Sequence, residues 1–533
     1  MTATSIQNEG TCSEVYKQLD KFGKFQVYQY ILICLPIIMV SMIHVNYIFV
    51  AEDVNHRCRV PECEDVNPTV EIPTWWPKDV NAKCFRPVVD MRKYHIANDT
   101  CSNNTFLEVL EECHDWVFEN DNSIVAALNL GCESWKSTLV GFIHNAGMIV
   151  SMMLTGWIAD KIGRKPTIIM CSIGGAVGLC KIFITNYYAY LSVEFLESVL
   201  ASGLYTVAVV LLIEVGGESK RVTAGVIFSY AVYIGEVCFA FIALGLKYWK
   251  LLIIVVYAPM ILFIVYMLIL RESTRWQMLR GKMDESKETL KMISKMNKLQ
   301  VSEKEISETS DEDLRFQFNV VIQKEKETMK DILASKEIMI RLSVTSFCFF
   351  ASSFVYYGLA VHSVLLPGNK YTNFILASVS SFPGDLIALY TFNKYGRKIS
   401  LQFGYVCSAF FLIVQSYSPD SIMWLKVVLF LCGKLGVVVC FTGIYTYTLE
   451  LFPTSVRGTL IGCGNTAARV GSMLAPLTPL LTTEFSALPA ILFSSVALIA
   501  AALLTFTPET KTLPMFDTIA QVEAHKSKIM THL

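Results

Sequence analysis

The strongest constraint on this chain is a series of twelve apolar stretches, each long enough to cross a bilayer and separated by polar or charged segments. They run at about 26–50, 135–158, 167–185, 189–213, 222–245 and 249–270, then 338–361, 372–392, 400–417, 423–448, 459–481 and 487–506. A helix needs roughly 20 residues to span hydrocarbon, where only helices and closed barrels satisfy their own backbone. Stretches of this length read as helices. The chain has 53% hydrophobic and 17% charged residues and a mean hydropathy of +0.45, so the expected class is an all-α polytopic membrane protein. A net charge of -1 hides segregation of charge into the polar segments, and no basic tract points to nucleic acid.

The first apolar run exceeds the roughly 7–15 residues of a signal-peptide core and has no small-residue cleavage site, so it reads as a membrane helix after a polar N-terminus at 1–25. A hydrophilic insert follows at 51–133. It holds Cys58, Cys63, Cys84, Cys101, Cys113 and Cys132, six of the 16 cysteines. An even number in one loop indicates up to about three disulfides in an oxidising compartment, with about 15 pairings open. Asn98 and Asn103 begin Asn-x-Thr sequons, which also place the loop outside the cell.

Residues 271–337 are dense in Lys and Glu, with Met, Leu and Ile at helical spacing, and read as a linker of amphipathic surface helices. It divides a six-helix half at 26–270 from another at 338–507, and a polar tail follows at 508–533. Basic residues collect after the second, fourth, sixth, eighth and tenth helices, as at Lys161/Arg164/Lys165, Lys220/Arg221 and Lys394/Arg397/Lys398. The positive-inside rule then puts both termini and the linker in the cytoplasm.

The halves repeat. Gly163-Arg164-Lys165 returns as Gly396-Arg397-Lys398, an offset of 396 − 163 = 233. Glu214 and Arg221 return as Glu450 and Arg457, an offset of 450 − 214 = 236, and Glu272 returns as Glu509, an offset of 509 − 272 = 237. Two related six-helix halves are the plan of a transporter that rocks about a central site. The stretch Gly156–Pro166 reads as a short charged loop between two helices. Asp160, Arg164, Glu214, Arg221, Arg397, Glu450 and Arg457 are the gating candidates, through ion pairs between neighbouring helices and across the halves. Acids contribute little to topology, so Asp160, Glu214 and Glu450 call for another role.

Gly156–Pro166 resembles the signature loop of the major facilitator superfamily. The six-cysteine loop, Glu272-Ser273-Thr274-Arg275-Trp276, Tyr356-Tyr357-Gly358-Leu359, the stretch Tyr445–Arg457 and Arg469–Pro476 resemble one branch of it, the organic cation, organic anion and carnitine transporters of animal cells. The similarity covers about residues 20–510. It implies a plasma-membrane carrier with no cofactor. One departure is Glu194-Phe195-Leu196, where the family usually has Arg-Phe-Leu, which puts an inherited anion preference in doubt.

Ionisable groups at mid-membrane cost roughly 2.5–3.5 kcal/mol on insertion scales and normally face a cavity or a partner. Glu236, Asp385, Lys434 and Arg469 are such groups. They either pair with one another or meet substrate. The resemblance implies that a basic residue at Arg469 goes with anion and carnitine carriers, whereas an acid at Asp385 favours an ammonium or quaternary amine. A site of both signs suits a zwitterion. Tyr356 and Tyr357, near Phe350 and Phe354 on the seventh helix, are candidates for cation–π contact with its positive end.

The reading is therefore a carrier of small organic cations or zwitterions, carnitine-like or amine solutes, with the bilayer as its other partner and an undetermined coupling ion. The alternatives are an organic-anion exchanger using Arg469 and Lys434, and a non-transporting surface receptor working through its disulfide loop. An enzyme is disfavoured because no nucleophile motif, phosphate loop or metal-ligand cluster is visible, and His44, His144 and His362 read as isolated, packed side chains.

Overall fold

The computed structural model describes residues 22–524 except 65–67, 78–79, 97–100, 103, 218–219, 300, 319–328, 420, 484, 512, 514–515 and 517, and does not describe the side chains of 221, 222, 316, 317, 329 and 483. Both sequons, Asn98 and Asn103, and the Arg221 side chain therefore lie outside the described set.

The first half contains α1 (Lys24–Val50), α2 (Ser134–Ile162), α3 (Arg164–Phe183), α4 (Tyr187–Gly216), α5 (Arg221–Gly245) and α6 (Trp249–Ile269). The second contains α7 (Lys336–Ser363), α8 (Lys370–Tyr395), α9 (Arg397–Ser416), α10 (Met423–Leu451), α11 (Arg457–Leu474, continued by a 3₁₀ turn over Ala475–Thr483) and α12 (Leu488–Phe506). Eleven of these helices are long and apolar enough to cross a membrane by length and composition alone. The other is α11, whose run of Gly, Thr, Asn and Arg lowers its hydropathy because one face lines the junction between the halves. Small residues set the closest approaches: α9 packs on α10 where Gly404 and Gly436 meet backbone to backbone.

The insert is stapled by Cys58–Cys113, Cys63–Cys101 and Cys84–Cys132. Two short antiparallel ladders support it, β1 (His56–Cys58) with β4 (Trp116–Phe118) and β2 (Phe85–Val89) with β3 (Phe106–Glu112). At the opposite end, helices Thr274–Leu279, Met283–Asn297, Glu303–Glu308 and Asp311–Gln317 turn Met278, Met283, Leu290, Ile293, Ile306 and Leu314 into one small core with Phe25. The Phe25 N–H donates to Asn297 Oδ1 at 2.8 Å, tying the start of α1 to this layer.

At the disulfide end the halves are joined by the Lys370–Glu52 ion pair and by Phe49, which stacks on Tyr371 with centroids 5.5 Å apart and meets Phe374 edge-on at 5.3 Å. Midway, Arg469 of α11 reaches Met152 of α2. One turn past Met152 comes Gly156, and the face carrying Arg469 continues through Thr466, Gly462 and Gly458. A Cβ added at any of these three glycines would meet nothing within 4 Å. The halves thus meet at the disulfide end, whereas open space adjoins these glycines of α2 and α11 below Arg469.

Candidate functional site

The charged turn is not a loop. α2 is helical to Ile162 and α3 begins at Arg164, so the chain reverses at the single residue Gly163, whose φ of 115° is open only to glycine at low cost. The first N–H groups of a helix have no partner of their own. Here Glu272, from beyond α6, supplies one: the N–H groups of Arg164 and Lys165 donate to its carboxylate at 3.0 and 3.1 Å. Burial holds the Glu272 carboxyl above its usual range, against the pull of these N–H groups. The second half repeats the device. Gly396 has φ 104°, and the N–H groups of Arg397 and Lys398 donate to Glu509 at 2.8 and 3.0 Å. A Cβ on Gly163 or Gly396 would fall 2.3 or 2.7 Å from those carboxylate oxygens.

Around each hinge the arginine crosses to the neighbouring acid. Arg164 meets Asp160 at 3.0 Å and Glu214 at 3.4 Å, and Arg397 meets Glu450 at 2.9 Å, where Thr510 Oγ1 also donates at 2.7 Å. Arg457 donates to the Phe452 carbonyl at 3.1 Å. Among the described residues these ion pairs lie within halves rather than across them. Among the described residues, the ion pair that does cross is Lys370–Glu52, at the far end.

Between the halves, α5 faces α8. Asp385 is fully buried, and its Oδ1 accepts from Thr442 Oγ1 at 2.5 Å and Tyr233 OH at 3.4 Å, while its Oδ2 has no hydrogen-bond partner. Phe382, with ring centroids 5.0 and 5.4 Å from Tyr230 and Tyr233, closes the contact. One turn further along α5, Glu236 faces Lys434, Ser378 and Tyr356. Lys434 Nζ lies 5.2 Å from the Tyr356 ring centroid, and no carboxylate oxygen among the described residues is within ion-pair reach of it. The Tyr356, Ser378 and Ser381 hydroxyls are buried, those of Tyr356 and Ser378 turned toward Glu236.

Arg469 sits at the apex of the gap. Its guanidinium contacts Met152 Sδ at 3.2 Å and Met148 Sδ at 4.0 Å, and among the described residues it has no carboxylate partner. His44, Tyr205 and Tyr445 face it. Tyr205 also faces Glu236 and Tyr357, and so links the two charged groups.

A third cluster lies inside the first half. Lys181 Nζ donates to Glu194 Oε2 at 2.8 Å, Glu197 Oε2 at 3.0 Å and Tyr257 OH at 2.8 Å, all fully buried. His144 Nδ1 lies 2.8 Å from Glu194 Oε1, and its Nε2 lies 2.8 Å from His44 Nδ1. His144, Glu194 and Glu197 are spaced like a metal-ligand set, but the Lys181 ammonium already takes the place of a cation between the carboxylates.

Residues 125–476 of the chain match the family profile of the Major Facilitator Superfamily. The chain belongs to the Major Facilitator Superfamily. Among curated relatives of this facilitator, an organic cation transporter protein of Drosophila melanogaster is 28% identical over 96% of the chain and 94% of its own length. Solute carrier family 22 member 6 of Oryctolagus cuniculus is 26% identical over 96% and 94%, and member 2 of Mus musculus 25% over 96% and 96%. The Escherichia coli xylose transporter XylE in its inward open conformation superposes with a TM-score of 0.56 at 14% identity, covering 97% of this chain and 99% of its own.

In this facilitator, the four mid-membrane charges inferred from sequence do not pair off as salt bridges with one another. Tyr357 faces Tyr205 and Tyr445, whereas the Tyr356 ring is taken up by Lys434 and by Phe441, stacked at 5.1 Å. Two expectations change. His44 and His144 are not isolated, because helix packing brings them together from 100 residues apart; His362 bonds Thr478 Oγ1 at 3.0 Å. Glu194 is not a free acid at the junction of the halves, since both its oxygens are occupied inside the first half. Lys181 is missing from the sequence-derived set. It lies two residues from the end of α3, where a lysine can ordinarily snorkel out, and its signal was the unexplained pair of acids on α4.

Proposed function

We propose that this facilitator is a plasma-membrane carrier of small organic cations or zwitterions, carnitine-like or amine solutes, working by alternating access. The charged-turn end and both termini are then cytoplasmic, by the positive-inside rule, and the gap below Arg469 faces the cell interior. One observation carries the reading: opposite charges at the junction each keep capacity to bind. Asp385 has an unpartnered oxygen, and the Arg469 guanidinium rests on the thioethers of Met152 and Met148 with no carboxylate partner among the described residues. A carboxylate can take both guanidinium edges of Arg469, and an ammonium can take Asp385, flanked by Tyr230 and Tyr233. The relatives' printed names, an organic cation transporter and solute carriers, support the same class.

Lys434, a second cation with no carboxylate within ion-pair reach among the described residues, favours an organic-anion exchanger as the alternative. Uptake of labelled carnitine, tetraethylammonium and glutarate into proteoliposomes holding the full chain separates the two. We expect Asp385→Asn to abolish tetraethylammonium uptake and Arg469→Ala to raise the carnitine KM. Unchanged cation uptake in Asp385→Asn, with loss of glutarate uptake in Arg469→Ala, establishes the anion exchanger instead.

A further inference from the structure

We propose that the chain His44–His144–Glu194–Lys181–Glu197 is a proton-binding site, and that it couples transport of carboxylate-bearing solutes to protons. The coupling rests on the reading of Arg469 above, and the proton site itself does not.

The geometry begins with charge. One ammonium, Lys181, is shared by two carboxylates in a fully buried cluster, so with neutral imidazoles the group is one positive charge short. Uncompensated charge at zero exposure is costly, and a mobile proton is the compensation available. The hydrogen-bond chain supplies a route. His144 Nδ1–H donates to Glu194 Oε1, which leaves its Nε2 to face His44 Nδ1 across 2.8 Å with a single hydrogen between them. In the deprotonated state that hydrogen belongs to His44 Nδ1, and His44 Nε2 carries a bare lone pair. That Nε2 is buried without a partner.

Protonation then follows one path. The His44 Nε2 lone pair takes a proton from hydronium, forming an N–H bond and releasing water. The Nδ1–H of His44 passes to His144 Nε2, and the electron pair it leaves returns to His44 Nδ1. The net result is one proton gained and an imidazolium on His144 beside the Glu194 carboxylate. Nothing is oxidised or reduced.

Every packed element contributes to the environment of this pair. From α1 come Asn46 and Tyr47, whose ring lies 5.6 Å from that of His144; from α3, Lys181; from α4, Tyr190, Glu194, Glu197 and Tyr205, the last with its ring 4.8 Å from that of His44. Tyr257 comes from α6, and the opposite half contributes Arg469. Arg469 lies beside this pair, its guanidinium 4.0 Å from the Met148 sulfur one helical turn from His144, and like charge opposes a proton there. A solute carboxylate on Arg469 cancels that repulsion. Carboxylate and proton therefore bind with mutual reinforcement, and by linkage each raises the affinity for the other. A quaternary amine with no carboxylate gains nothing from the pair.

The test uses the full chain in proteoliposomes with membrane potential clamped at zero. One coupled proton per solute corresponds to roughly tenfold accumulation per unit of pH gradient, since one pH unit is about 1.36 kcal/mol. We expect an inward proton gradient to drive carnitine accumulation to that extent, to leave tetraethylammonium unaffected, and to lose its effect in His44→Gln and His144→Gln while carnitine counterflow persists. Carnitine accumulation indifferent to the gradient, or equal stimulation of tetraethylammonium, overturns the coupling. A second measurement needs no solute and no variant that must transport: infrared difference spectra of ¹⁵N-histidine-labelled wild type between pH 8 and pH 5. Imidazole bands that shift with the label support the proton site, and their assignment follows from their loss in His44→Gln. Absence of any titrating buried imidazole overturns the site. If the bands titrate but none of the three solutes is transported, the carrier reading fails and the proton site stands.

Discussion

Lys181 shows what a residue-by-residue reading of the sequence finds and misses. A single lysine near the end of an apolar run looks like a snorkelling anchor, and its 3₁₀ setting at Ala176–Phe183 changes which face it presents, so helical periodicity misplaces it. Only the fold brings Glu194, Glu197 and Tyr257 around it. Removing one partner of a buried ion pair typically costs about 3–5 kcal/mol. Lys181→Met should therefore abolish folded protein or markedly lower its melting temperature in detergent, and the triple variant with Glu194→Gln and Glu197→Gln should recover most of that loss. Equal stability of the single and triple variants would show that the cluster is not charge-balanced by Lys181. By contrast, Asp385, Glu236, Lys434 and Arg469 were legible from sequence alone, because a charge at mid-membrane stands out against its neighbours. Losing a charged hydrogen bond of about 1.5–3 kcal/mol predicts that Arg469→Ala raises the KM for carnitine roughly ten- to a hundredfold with little change for tetraethylammonium. Concentration-dependent initial rates measure both.

The hinge is the element that the sequence revealed by repetition and the structure defined by geometry. The repeated Gly-Arg-Lys motifs and the repeated Glu272 and Glu509 were visible as pairs, but their relation was not. Sequence offers ion pairs as the obvious use of such charges; the fold instead uses the acids to cap helix N-termini from about a hundred residues away. Gly163→Ala adds a Cβ where an oxygen already lies and at a φ that disfavours it, so it should break the cap and reduce surface expression or turnover severalfold. Gly396→Ala should do the same through Glu509, and flow cytometry with initial-rate uptake compares the two. Asp160, largely exposed and bonded to Arg164, is a milder lever. Asp160→Asn should slow turnover while leaving the ratio of carnitine to tetraethylammonium uptake unchanged, and a shifted ratio would tie the hinge to selectivity.

Across the whole molecule, the two-fold plan was legible because three motif pairs recur at nearly one offset, whereas the direction of opening was not, since the same sequence serves both states. The structure closes at the disulfide end through Glu52, Lys370, Phe49 and Tyr371, none of which belongs to the repeated motifs. Glu52→Cys with Lys370→Cys should therefore cross-link under mild oxidation and stop uptake, with reduction restoring it; a cross-linked carrier that still transports would separate this contact from the gate. The methionines under Arg469 bear on the return stroke. Thioethers are unbranched, polarisable and easily rearranged, so they cradle a guanidinium without forming a bond that must be broken before the halves can rock. A carrier whose unloaded cation is held by a carboxylate is locked until cargo displaces it, and must trade one solute for another. Held by sulfur, this one is free to reset empty, so its uptake should need no solute on the far side and should show little trans-stimulation.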